Sequence, residues 1–125
     1  MLNNEEINCL GNILNNTWGK SNNNNGRTLT SKLKDDVVSL TFHTVVNFAS
    51  EQALREQTTV LNDESNQFLG SMVSDIKSKF KEKTGNALKL NELSDSDNIE
   101  MIQASINSPR KIALYRRTVT LEIQN

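Results

Sequence analysis

The sequence predicts an α+β fold: one antiparallel sheet of about five strands (a hairpin, then a three-strand meander), covered by a long helix, with a short N-terminal helical arm. Three observations predict it. VVSLTFHTVVNF, residues 37–48, alternates apolar and polar residues, as a strand with one buried face does. Residues 51–84 carry Leu54, Leu61, Phe68, Leu69, Met72, Val73, Ile76 and Phe80 as an apolar stripe at helical spacing. KIALYRRTVTLEI, residues 111–123, returns to alternation.

Taken in order, residues 3–16 predict a short amphipathic helix. Asn3 or Asn4 caps it, Glu5 and Glu6 suit its positive end, and Ile7, Leu10, Ile13 and Leu14 form one stripe. Gly11 weakens it by roughly 1 kcal/mol, and so short a helix needs a surface to pack on. GKSNNNNG, residues 19–26, has no period and no apolar residue, and predicts a flexible loop. The expected organisation is therefore an arm with an Asn-rich loop over residues 1–26, and one α+β domain over 27–125. Trp18 would anchor the arm on the domain or on a neighbour.

RTLTSKLK, residues 27–34, reads as a strand, and Asp35-Asp36 as a tight turn. Ser50 is placed to cap the long helix and Gly85 to stop it, with Asn62-Asp63 as a candidate break. Lys77, Lys79, Lys81 and Lys83 suit the negative end of its dipole. ALKLNEL and IEMIQASI then read as two short strands, separated by the acidic loop SDSDN. NSPR, with Pro109, reads as the turn into the last strand.

Composition excludes several classes. The chain has 125 residues, enough for one core, and a net charge of −1, which gives no overall pull toward nucleic acid or anionic lipid. Cys9 is the only cysteine, so no internal disulfide forms. No apolar run approaches the roughly 18 residues that span a bilayer, so no membrane association is expected. The first residues carry acids where a signal peptide has basic residues. The expected setting is a cytoplasm, or a particle assembled there.

Catalytic and metal-binding chemistry is sparse. His43 is the only histidine, on the polar face of a strand, and one His with one Cys makes no ordinary zinc set. Asp95, Asp97 and Glu100 lie close together but lack the central glycine of a calcium loop, and read as a polar turn. No catalytic residue, metal or cofactor is expected. The candidate partner contacts are Trp18 and the C-terminal cluster Arg110, Lys111, Tyr115, Arg116 and Arg117. The cluster's cations suit carboxylates or phosphates.

NIEMIQASINSPRKIALYRRTVTLEI, with LGNILNNTWGKS near the start and VVNFASEQALREQ in the middle, resembles small proteins of T4-like marine tailed phages, including those infecting cyanobacteria. The likeness is diffuse, touches most of the chain and carries no catalytic residue. It implies a phage-encoded virion or assembly protein, found in the virion or the host cytoplasm. The expected function is self-association and docking to other phage structural proteins. The alternative is a nucleic-acid-binding accessory protein using the basic C-terminal hairpin, and a small enzyme built around His43 is a third reading.

Overall fold

Asp35 and Asp36 join two strands, β2 (Arg27–Lys34) and β3 (Val37–Phe48), in a computed structural model that describes residues 1–17, 22–24, 26–102 and 111–125. Asp35 has a left-handed φ of 56°. Two-residue hairpin turns need that conformation, and Asp tolerates it better than most residues. The turn sets the register, with Lys34 opposite Val37 and Leu29 opposite Phe42. It sends Val38, Leu40, Phe42, Thr44, Val46 and Phe48 to one face, where all are buried. That is the face the alternation predicts. The buried Thr44 hydroxyl donates to the Gly26 carbonyl at 3.0 Å, so it leaves no unpaired donor.

The last strand, β5 (Lys111–Ile123), pairs antiparallel along the whole of β3. It adds Ala113, Tyr115, Val119, Leu121 and Ile123 to the buried face. The long helix, α2 (Glu51–Thr84), covers that face with Leu61, Ser65, Leu69, Met72, Ile76 and Phe80. Phe42 stacks on Phe68 of α2, with centroids 5.8 Å apart, and meets Tyr115 edge-on at 6.0 Å. Ser50 caps α2 by accepting from the Ala53 N–H, and Gly85 ends it at φ 76°. The helix runs unbroken through Asn62 and Asp63.

The first helix, α1 (Asn4–Thr17), packs against the sheet and α2. Asn3 caps it reciprocally: Glu6 N–H donates to Asn3 Oδ1 at 2.8 Å, and Asn3 N–H donates to Glu6 Oε1 at 3.2 Å. Leu2, Leu10, Ile13 and Leu14 are buried in the same core cluster as Val38, Met72 and Phe80. The helix therefore packs on the domain, one of the two places expected for the arm. Burying each such side chain contributes about 1.5–3 kcal/mol, which a marginal helix needs in order to form.

The asparagine run departs from the loop expected of it. Asn22–Asn24 form a short strand, β1, antiparallel to the start of β2. Gly26, at φ 79°, supplies the left-handed residue of the turn between them.

The meander also differs from expectation. In place of the first short strand, the acidic loop and the start of the second strand there is one strand, β4 (Leu90–Ile102), paired with β5 and bulged between Glu92 and Ser94. Residues 103–106 of the expected second strand lie outside the described residues. The sheet thus has four full-length strands plus the short β1, in the order β1-β2-β3-β5-β4. The expected turn with Pro109 lies outside the described residues.

A candidate docking edge

The two edges of the sheet differ. On the β2 side, β1 pairs with the first residues of the strand. Farther along, α1 faces Ser31, Lys32 and Leu33 across a shared cleft. On the other side β4 is terminal, and among the described residues no strand pairs with its outer edge. Every residue from Asn91 to Ile102 is exposed.

The hairpin turns determine which β4 backbone groups face outward. A two-residue turn closes on a hydrogen-bonded pair, and such pairs then alternate along the ladder. Lys34 and Val37 are that closing pair, so the odd-numbered residues of β3 bond to β2 and the even-numbered ones to β5. Tyr115 and Arg117 then bond to β3, and Leu114 and Arg116 to β4. The Ile123 N–H, which donates to the Asp36 carbonyl at 2.8 Å, fits this alternation. In β4, Ser94, Ser96, Asn98, Glu100 and Ile102 therefore bond to β5. Asp95, Asp97, Ile99 and Met101 turn their N–H and C=O groups outward, and their side chains share the α2 side of the sheet.

This edge is chemically divided. Asp95 and Asp97 occupy one half of the α2-side row. Ile99 and Met101, 37% and 54% exposed, occupy the other. Glu100 projects from the opposite face, beside Leu114. β4 contains no basic residue.

Arg117 ties the acidic half to the helix. Its guanidinium holds Asp95 through Nε–H to Oδ1 at 3.0 Å and Nη2–H to Oδ2 at 2.7 Å. Nη1 donates to Ser65 Oγ at 2.9 Å and to Asn66 Oδ1. The Tyr115 hydroxyl donates to Asn62 Oδ1 at 2.5 Å. The hydrogen bond from Arg117 holds the Asp95 carboxyl below its usual range, against the opposing effect of burial. The same bond raises Arg117, and burial raises Tyr115. This network fixes the position of the β4 middle relative to α2.

The C-terminal cluster does not converge. Trp18 and Arg110 lie outside the described residues. Tyr115, expected as a partner contact, is fully buried in the core, because its position in the strand alternation faces α2. Arg117 is engaged with Asp95, and Lys111 lies at the far end of the same face, opposite Phe48. Arg116 is exposed on the other face, opposite His43. Strand alternation thus separates neighbours that looked clustered in sequence. His43 is held below its ordinary pKa, first by burial and then by the Arg116 charge. Asp95, Asp97 and Glu100, expected in a turn, belong to β4.

Among the described residues no group of acidic, His or Cys side chains could hold a metal ion, and no helix is long and apolar enough to cross a membrane. No family model, characterised protein or solved structure matches this chain.

Proposed function

We propose that this protein is a non-enzymatic structural or assembly protein of a tailed phage, working by docking to neighbouring subunits through β4. One observation supports the docking reading: β4 presents a row of outward backbone donors and acceptors, exposed along its length, with no described strand paired to it. Such an edge accepts a strand from another chain, with main-chain bonds giving affinity and alternate side chains giving selectivity. The phage setting rests on the resemblance of the C-terminal, N-terminal and central stretches to proteins of T4-like marine phages. It points to the virion or the host cytoplasm, with copies of this chain and other structural proteins as neighbours.

Ile99→Pro tests the docking reading. Its N–H points outward, so proline there leaves the β4–β5 ladder intact while removing a donor from the free edge. Light scattering over a concentration range, on the chain alone and mixed with structural proteins of the same particle, should show a larger species that the variant fails to form. Mass spectrometry of purified particles should detect the chain. A chain that stays monomeric in every mixture and is absent from particles overturns the proposal.

A further inference from the structure

We infer that β4 receives a strand from a different protein, with basic side chains opposite Asp97 and Glu100 and apolar side chains opposite Ile99 and Met101. This rests on the docking reading above and names the partner's chemistry.

A second copy of β4 is a poor occupant. When one strand pairs antiparallel with its own copy across a twofold axis, only registers that keep the two sheet faces continuous are open. Centred on Ser96, such a pair sets Asp95 opposite Asp97. Centred on Asp95 or Asp97, it sets each carboxylate opposite its own copy. Centred on Asn98, it sets Asp97 against Ile99 and Asp95 against Met101, and centred on Ile99 it sets Asp97 against Met101. Centred on Glu100, it sets Ile99 opposite Met101 but Glu100 opposite its own copy, and centred on Met101 it sets Glu100 against Ile102. Every one of these registers opposes like charges or sets a carboxylate against an apolar side chain. Both are unfavourable. Acidic residues and a bulge are also the means by which sheet edges avoid indiscriminate pairing. The bulge between Glu92 and Ser94 distorts one end of the edge, so the regular row runs from Asp95 to Met101.

A basic strand meets none of these penalties. Lys or Arg opposite Asp97 and Glu100 supplies opposite charge on both faces of the extended sheet. An apolar pair opposite Ile99 and Met101 covers two apolar side chains that water otherwise reaches. In the antiparallel orientation the partner therefore reads, from its N-terminal end, apolar, basic, apolar, polar, basic.

The test uses the full chain and a fluorescent synthetic peptide, Thr-Val-Lys-Ile-Thr-Lys-Thr-Thr, followed by anisotropy at low and moderate salt. The expected result is saturable binding, about tenfold weaker for the peptide with Glu in place of both Lys. Binding should be lost in Ile99→Pro and weaken as salt rises. The paired variant Asp97→Lys with Glu100→Lys should reverse the preference toward the Glu peptide. Circular dichroism on each variant establishes that the sheet is intact. Equal binding of the two peptides overturns the charge rule. Concentration-dependent self-association that Ile99→Pro abolishes, without binding of the Lys peptide, overturns the inference and leaves the docking reading standing. Neither self-association nor binding of any strand overturns both.

Discussion

The β2 edge and the β4 edge of this sheet solve the same problem in opposite ways. Both end a ladder of backbone donors and acceptors. On the β2 side the chain uses its own parts: β1 continues the ladder, and α1 lies alongside with Leu10, Ile13 and Leu14 buried in the core. On the β4 side nothing described covers the backbone, and protection is left to carboxylates and a bulge. A covered edge contributes to stability through burial. An uncovered edge contributes little, and its sequence is released for recognition. Substitutions at the two edges should therefore have different consequences.

The largest effect is expected at the covered edge. Leu10→Ala removes a fully buried side chain that fastens α1 to the core. It should cost about 2–5 kcal/mol in urea unfolding, because the site relaxes only partly around the cavity. A cost near zero would mean that α1 does not hold this edge and would end the contrast.

Next come two adjacent prolines on β4. Asn98→Pro removes an N–H bonded to β5 and should cost on the order of 1–3 kcal/mol. Ile99→Pro removes an outward N–H and should cost below about 1 kcal/mol while blocking strand addition. Hydrogen exchange at β5 amides separates the two. If Ile99→Pro proves the more damaging to the fold, the assignment of outward groups is reversed.

The difference between the edges also explains what could be read in the sequence. Strands β2, β3 and β5 lie where one face must be buried, so Val38 to Phe48 and Ala113 to Ile123 show the period of two that burial imposes. The caps Ser50 and Gly85 were legible because each supplies a specific backbone need. β4 was not legible as one strand. Its side chains are exposed on both faces, so nothing imposes an apolar period, and Ser, Asp and Asn in SDSDN disfavour strands locally. Pairing with β5 overrides that preference. The sequence signal for β1 is Asn25-Gly26, a dipeptide that favours hairpin turns, and the asparagines before it carry no apolar period to mark a strand. The basic cluster failed for the opposite reason. Adjacency in sequence is not adjacency in space here, since Arg116 and Arg117 point to opposite faces of β5.

The ion pair that fixes β4 gives a smaller, pH-dependent effect. Arg117 lowers the Asp95 pKa, so the unfolded state binds that proton more readily than the folded state. The contribution is complete above the ordinary carboxylate value of about 3.9 and is lost as pH falls through the lower folded value. Asp95→Asn should therefore flatten part of the acid limb of the stability curve. At neutral pH it should cost about 1 kcal/mol or less, since the pair is partly exposed. An unchanged acid limb would remove Arg117 as the fastening of the open edge.

The smallest effect returns to the covered edge and should have the opposite sign. Ser31 lies on β2 facing α1, and its Oγ is buried without a hydrogen-bond partner among the described residues. A hydroxyl taken out of water in this way carries a desolvation cost that nothing offsets. Covering an edge with a helix therefore has a local penalty that an open edge avoids. Ser31→Ala deletes the oxygen and leaves the strand and the α1 contacts in place. It should stabilise the protein by a few tenths to about 1 kcal/mol, read as a shift in urea midpoint at constant slope. The corresponding change on the open edge, Ser96→Ala, removes a hydroxyl that water reaches and should shift the midpoint little. If Ser31→Ala destabilises instead, the hydroxyl makes a bond that holds α1 to β2, and the covered edge is fastened by polar as well as apolar contacts.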